Sequence, residues 1–375
     1  MNATHERNRA KRNRMSAHPS SASLAPHVAT LPDDAATIMK RGAVTADRIL
    51  ELGYSYRACR TLLSAVELGV FTVLAAGPLD RDTLSERIGI NSRGARDFFD
   101  SLVALRMLVR DKAGRYSNSA ETDLYLDRNK PTYVGGAFEN VITRNYMDWG
   151  SLTDALRTGK PQTHLSMVTK FAELYADETL RDAFTNTMTA RTRPVAQALA
   201  KRFPWAEHRT LIDIGGSQGC LPVEIAKAHY HISGGVFDLP PLQPSFDQFV
   251  KAHGLHDRLR FYPGDFFEGP LPSADVLVLG RVLHNWDLAT KKMLLRKAYD
   301  ALPAGGALIV YEQLIDDERC TQTDGLLASL QMLLSSPGGS NFTGEDCVGW
   351  MREAHFRNIS VEPLTADQSM VAGIK

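Results

Sequence analysis

The sequence is short of cysteine, of charge imbalance and of long apolar runs, and each shortage removes a class of protein. Four cysteines, Cys59, Cys220, Cys320 and Cys347, are spread over 375 residues with no C-x-x-C pair. That spacing argues against a zinc ribbon or a disulfide framework, and no metal site is expected. A reduced, cytoplasmic setting fits best. Lys+Arg and Asp+Glu each number 43, so there is no overall basic field to draw in nucleic acid or an anionic surface. No apolar stretch approaches the roughly 18 residues of a membrane helix. The basic run Arg7, Arg9, Lys11, Arg12 and Arg14 is not followed by the apolar segment of a secretory signal. What remains is an ordinary globular composition, 43% hydrophobic and 23% charged.

Four regions follow from the pattern. Residues 1–35, rich in Asn, Ser, Pro and Arg, are expected to be a disordered tail. Residues 36–128 read as an all-helical domain of winged-helix type. Helical spacing marks Thr45–Leu52 and Arg57–Leu68. Asp82 or Thr83 is expected to open a short helix that Gly89 stops, and Ser92 to cap a second helix reaching about Arg106. Leu108 to Tyr116, with Gly114 at its turn, reads as a hairpin. A DNA-binding regulator would read bases with the second helix. Here that helix carries Asp97, Phe98, Phe99 and Asp100, and Asp80 to Tyr116 holds eight Arg/Lys against six Asp/Glu. Packing against a second copy suits those residues better than contact with phosphate. Residues 129–208 read as helices, with Phe138, Tyr146, Trp149, Phe171, Tyr175, Phe184 and Met188 as core or as the lining of a flat apolar pocket.

From 209 to 375 strands and helices alternate, the mark of a doubly wound α/β sheet. The strand candidates are Thr210–Ile214, Gly235–Phe237, Leu259–Tyr262, Asp275–Leu279 and Ala307–Tyr311, then Ile359–Pro363 and Ser369–Ile374. The first strand runs into "DIGGSQG". Gly215, Gly216 and Gly219 permit a tight strand-to-helix turn and close backbone approach to a ligand, and the helix start favours an anionic group. A dinucleotide fingerprint would require G-x-G-x-x-G, but 217 is Ser and 220 is Cys. Asp238 and Leu239 end the second strand, where a carboxylate can accept ribose hydroxyls. Gly264, Asp265 and Phe266 end the third, offering an acceptor and a ring face to an adenine. His284 follows the fourth strand and Glu312 ends the fifth. In a doubly wound sheet those ends are neighbours, which places a carboxylate within reach of an imidazole that can take a proton near pH 7.

Taken together, "DIGGSQG", "FDLP", "GDFF", "LHNWD", "ALPAGGALIVYE" and "PGGSNFTGEDCVGWMREAHF" resemble the family-2 O-methyltransferases, the group of plant caffeate and bacterial antibiotic enzymes. The resemblance runs from about residue 45 to the C-terminus. It implies a Rossmann-like methyltransferase sheet with a C-terminal antiparallel strand, an N-terminal dimerisation domain and a homodimer. It also implies S-adenosylmethionine as methyl donor, with Gly215, Asp238, Asp265, Phe266 and Arg281 on cofactor positions, Trp286 beside them, and His284 as the base. Two positions depart from the family pattern: Asn285 stands where Asp is common, and Asn341 where plant members place a second Glu.

The reading is methyl transfer to a hydroxyl, expected to be phenolic, of a small aromatic molecule. Trp149, Met188, Met332 and Asn341 are expected to line the acceptor pocket. Three alternatives stand beside it. These are transfer to N, S or C, a decarboxylase or hydroxylase that keeps the cofactor, and a DNA-binding regulator.

Overall fold

The computed structural model describes residues 44–136, 138, 142, 145–162, 171 and 174–375; the expected tail, 1–35, lies outside them. The chain divides between Cys59 and Arg60 into two units. What is described of the first is the beginning of helix α1 (Asp47–Glu67). The two helices expected here are one. Gly53 carries no left-handed φ and costs a helix interior only about 1 kcal/mol, too little to break it.

In the second unit α1 is followed by α2 (Val70–Leu74), α3 (Arg81–Ile88) and α4 (Ser92–Ala104). A hairpin of β1 (Leu108–Arg110) and β2 (Tyr116–Asn118) and then α5 (Ala120–Tyr125) complete this part. The domain is thus helical with a two-stranded wing rather than all-helical. Both caps fall slightly earlier than expected. Asp80 accepts the N–H groups of Asp82 and Thr83 at 3.0 and 2.9 Å, and Asn91 accepts that of Arg93 at 2.9 Å. Gly89 ends α3 in the left-handed conformation. Phe71, Leu84, Phe99, Leu102 and Leu108 form the core, with Phe138 packed against it. Asp100 accepts hydrogen bonds from Arg110 at 2.5 Å and Tyr116 at 2.8 Å. The acid on the second helix therefore fastens that helix to the wing.

Helices α6 (Tyr146–Trp149), α7 (Leu152–Thr158) and the long α8 (Glu178–Arg202) lead to the sheet. There β3 (Thr210–Ile214), α9 (Cys220–Ala228), β4 (Ser233–Asp238), α10 (Gln243–Ala252) and β5 (Leu259–Pro263) form one half. The other half holds β6 (Val276–Gly280), α11 (Leu288–Ala301), β7 (Ala307–Glu312), α12 (Thr323–Ser335), α13 (Gly344–Glu353), β8 (Arg357–Pro363) and β9 (Ser369–Ile374). The strand order is β5-β4-β3-β6-β7-β9-β8. Pairs from β5 through β7 are parallel, and β9 runs antiparallel to both its neighbours.

The central strands read as unbroken apolar runs because both faces are covered. Leu277, Leu279, Leu308 and Val310 face a core shared with Leu294 and Leu295 of α11 and Met351 of α13. Their alternates Val276, Val278 and Ile309 face Val195 and Leu199 of α8 and Leu221 and Ile225 of α9. Strand β6 sits between β3 and β7. The carboxyl ends of these three strands therefore lie side by side, and the order reverses at β3/β6, where such sheets bind ligands.

Candidate active site

The site is built from the loops that leave β3, β4, β5, β6 and β7. After β3 the backbone turns through Gly215 (φ 74°), Ser217 (φ 54°) and Gly219 (φ 88°). A side chain at 219 would press on the Phe246 ring at 2.8 Å, so this turn needs glycine for space as well as for φ. Asp238, at the end of β4, holds the loop: its two oxygens accept the N–H groups of Ser217 at 2.9 Å and Leu239 at 2.8 Å. Burial outweighs these hydrogen bonds and pushes the Asp238 carboxyl up to about 6.

Asp213, on β3, is only 3% exposed. Its carboxyl is pushed well above the usual range, first by burial and then by the nearby Asp238 charge. A buried carboxyl and a half-buried one thus meet at this loop. Sequence reasoning passed over Asp213 as part of a glycine motif; the available signal was an acid inside an otherwise apolar strand.

Beyond β5, Asp265 is half-buried and its side chain accepts the N–H of Phe267 at 2.8 Å, while Gly264 donates to the Asp238 carbonyl at 3.0 Å. Phe266, Phe267 and Trp286 form a ring cluster with centroid separations of 4.8, 5.7 and 4.9 Å. Lys297 of α11 supports this loop by donating to the carbonyls of Phe266 at 2.5 Å and Gly269 at 2.9 Å. Two buried polar atoms beside these groups, Ser217 Oγ and Trp286 Nε1, have no hydrogen-bond partner. Such atoms are costly unless something satisfies them.

Strand β6 leaves the sheet through Arg281, whose φ of 57° is unusual for a residue with a side chain. Its N–H donates to the Tyr311 carbonyl at 3.0 Å and its carbonyl accepts from Asn285 Nδ2 at 3.3 Å. The turn so formed, Leu283–Asn285, carries His284. Glu312, 2% exposed, grips this residue twice. One carboxylate oxygen lies 2.6 Å from His284 Nδ1 and the other accepts the His284 backbone N–H at 3.3 Å. A proton on Nδ1 satisfies the carboxylate and leaves Nε2 with its lone pair.

The residues expected to line the acceptor pocket lie on α6, α8 and α12 and on the segment after α12. Trp149 donates from Nε1 to Gln331 Oε1 at 2.7 Å, tying α6 to α12. Met188 on α8 and Met332 on α12 are half-buried. Asn341, the fourth residue expected to line the pocket, donates from Nδ2 to the Gln313 carbonyl at 2.9 Å. Gln313 directly follows β7, so this bond ties the Asn341 segment to the end of that strand. The aromatics Phe171, Tyr175 and Phe184 do come together, at 5.6 to 6.2 Å. Tyr175 is buried, and its hydroxyl is pushed up by that burial and by the charge of Asp238. Gln218, also overlooked, links the β3 loop to α8 by donating to Thr189 Oγ1 at 2.6 Å.

A model of the O-methyltransferase domain matches residues 149–357, and one of the O-methyltransferase dimerisation domain matches residues 50–128. The chain belongs to the O-methyltransferase family. The tetracenomycin polyketide synthesis 8-O-methyl transferase TcmO of Streptomyces glaucescens is 40% identical over 87% of this chain and 96% of its own length. The N,N-dimethyltransferase OxyT of Streptomyces rimosus is 35% identical over 83% of this chain and 91% of its own. Among solved structures, human N-acetylserotonin methyltransferase in complex with SAM superposes with a TM-score of 0.79. It shares 27% identity over 89% of this chain and 99% of that one.

The protein is an S-adenosylmethionine-dependent methyltransferase with a dimerisation domain in its N-terminal part. Its own residues fit that cofactor. Asp213 and Asp238 are carboxyls with raised proton affinity that a cation would relieve, and Ser217 Oγ and Trp286 Nε1 are unpaired polar atoms a bound ligand would satisfy. Among the described residues no helix is long and apolar enough to cross a membrane, and no cluster of metal-ligating side chains occurs.

Proposed function

We propose that this methyltransferase acts on a phenolic hydroxyl of a flat, aromatic, secondary-metabolite-like molecule, with His284 as general base and Glu312 as the group that orients it. The observation that carries this reading is the double grip of Glu312 on His284, at 2.6 Å to the ring and 3.3 Å to the backbone. Bound S-adenosylmethionine supplies an electrophilic methyl group on a sulfonium. The chain holds the two reactants in line, and such alignment is worth about 7–11 kcal/mol over free encounter.

A phenol with a pKa near 10 must lose its proton as it attacks. His284 Nε2 takes that proton, and Glu312 stabilises the imidazolium that results. Gly215, Gly216, Gly219, Asp238, Leu239, Gly264, Asp265, Phe266, Arg281 and Trp286 are assigned to the cofactor. Trp149, Met188 and Met332 are assigned to the acceptor side, where the aromatic cluster of Phe171, Tyr175 and Phe184 also suits a flat ring. Relatives named for polyketide, naphthoate and acetylserotonin O-methylation support an aromatic acceptor. We assign residues 36–128 to pairing into a homodimer, 129–208 to the pocket wall and 209–375 to catalysis.

His284→Ala is expected to lower turnover of a phenol panel by about 10²–10⁴-fold, with calorimetric binding of S-adenosylmethionine unchanged. Near-normal turnover in that variant would falsify the base assignment. The likeness to OxyT favours one second reading, methylation of an amine. A neutral amine needs no base to attack, so an amine panel turned over equally by wild type and His284→Ala would establish it.

A further inference from the structure

Lys291 is the one fully buried lysine of the catalytic sheet region that neither the cofactor loops nor the sheet core accounts for. It lies on α11, seven residues past His284, and is 2% exposed. A buried ammonium normally has a carboxylate in contact. Here Nζ instead donates to one uncharged residue, Ser340, at 2.8 Å to its carbonyl and 2.9 Å to its hydroxyl. The rings of Phe342 and Trp350 lie 5.2 and 5.6 Å from the ammonium, close enough for cation–π attraction in a desolvated site.

The segment it holds backs onto the catalytic turn. A Cβ on Gly339 would lie 2.7 Å from the His284 carbonyl and 2.9 Å from that of Asn285, and one on Gly338 would meet Asp287 at 2.6 Å. Two consecutive glycines thus let the segment lie directly on the backbone of the His284 turn. Its other fixed points are the Gly339 N–H on Ser336 Oγ at 2.7 Å and the Asn341 N–H on Ser329 Oγ at 3.2 Å. Glu312 grips the front of the turn through the ring and the His284 N–H; the Gly338–Gly339 backbone supports its rear.

We propose that Lys291 is a positioning residue for the methyl transfer, pinning the Gly338–Ser340 backbone against the His284 turn so that the ring stays in line with Glu312. This rests on the assignment of His284 as base. Around Lys291 stand Glu312 on β7, Asp346 and the Cys347 thiol on α13, and Asp287 on its own helix. Burial, only partly offset by these groups, brings its ammonium down to about 8. The pin is therefore mostly charged at neutral pH and loses its charge as pH rises through about 8, whereas an arginine would stay charged.

The test compares Lys291→Met, which keeps the length and packing of the stem, with Lys291→Arg, which keeps charge and donors. His284→Ala serves as control. In protein labelled with ¹⁵N-histidine, the His284 Nδ1–H proton is identified as the downfield resonance absent from His284→Ala. Lys291→Met is expected to shift or broaden it with S-adenosylhomocysteine affinity kept within about twofold; Lys291→Arg is expected to preserve it. With 1-naphthol as methyl acceptor, Lys291→Met should lose about 10- to 100-fold in kcat, the scale of a misplaced reacting group, with KM for S-adenosylmethionine unchanged. Lys291→Arg should retain most of kcat and lack the wild-type decline above about pH 8.

An unchanged resonance in Lys291→Met overturns the proposal, as does a kcat loss that merely tracks lost thermal stability and cofactor affinity. If His284→Ala turns over normally, both the base assignment and this inference fall. If His284→Ala is inactive and Lys291→Met is not, this inference alone falls.

Discussion

Two buried acidic groups stand at the carboxyl ends of β3 and β7, with β6 between them, and the protein treats them in opposite ways. Glu312 on β7 and Asp213 on β3 are 2% and 3% exposed, so each has lost nearly the same share of water. Glu312 is repaid by two donors from His284. Asp213 faces a second carboxyl, Asp238, and burial and that charge together drive its proton affinity up. Burial alone therefore says little about what a carboxylate does; the donors supplied around it decide. The β7 acid is at ease in the protein by itself and serves to fix a side chain. The β3 acid has no such donors, and a positive ligand beside it would relieve both its burial and the Asp238 charge.

The comparison is broken most directly by removing the charge of the satisfied member. Glu312→Gln keeps shape and one acceptor but presents an amide that can force the imidazole into the other tautomer, with Nε2 protonated and useless as a base. Turnover is expected to fall by about 10²–10⁴-fold. Because Glu312 is assigned no contact with the cofactor, calorimetric affinity for S-adenosylmethionine should stay within about threefold. Equal losses in affinity and turnover would show that the two strand ends are not separate in function.

The sequence reveals the strand ends far better than the walls between them. Thr210–Ile214 and Ser369–Ile374 are read with their observed limits, because an apolar run bounded by Gly or polar residues has few other solutions. β4 is longer than its apolar part: Ser233 and Gly234 pair with Thr210 and Leu211, a bond between backbones that side chains do not announce. β8 starts at Arg357 and carries an irregularity before Ser360, so period-2 alternation misses its beginning. The nearness of His284 and Glu312 was legible because topology alone places the ends of adjacent parallel strands together. Trp149, Met188 and Met332 were not legible as pocket or core, since an aromatic or Met at helical spacing serves either purpose. Lys291 was invisible because a lysine on an amphipathic helix reads as a solvated residue, and only tertiary structure shows the Ser340 carbonyl waiting for it.

Next in size is the removal of charge from the uncomfortable member. Asp213→Asn should weaken S-adenosylmethionine binding by on the order of tenfold, and weaken S-adenosylhomocysteine, which lacks the sulfonium charge, distinctly less. In the unliganded protein the same substitution is expected to raise the melting temperature at pH 8. A carboxyl whose proton affinity is raised by folding favours the folded state while protonated. That contribution is present at low pH and is lost as pH rises from the ordinary carboxyl range through the raised value, which for Asp238 is about 6. Wild type should therefore lose stability from this loop as pH rises out of the ordinary carboxyl range, with Asp238's share gone by about pH 6, and Asp213→Asn should lose less. Melting curves of both proteins at pH 4 and pH 8 decide the matter; parallel pH profiles would show that Asp213 is already satisfied.

The smallest effect is expected beside the satisfied member, at Asn341. The family pattern that the sequence resembles implies a second Glu here in plant members, so an acidic substitution would at first sight restore a missing partner for the base. The geometry argues otherwise. Asn341 Nδ2 donates to the Gln313 carbonyl at 2.9 Å, and Asn341 is only 8% exposed. Asn341→Asp would set a carboxylate against that carbonyl, acceptor against acceptor, and leave both without a donor. A buried group orphaned in this way costs about 1–3 kcal/mol, equivalent to a melting point lower by several degrees in a chain of this size. Turnover at saturating substrate should hold within about threefold, because the two bonds from His284 to Glu312 are untouched. A gain in kcat would mean that the side chain at 341 reaches the imidazole during the reaction, and that the β7 acid is not its sole partner.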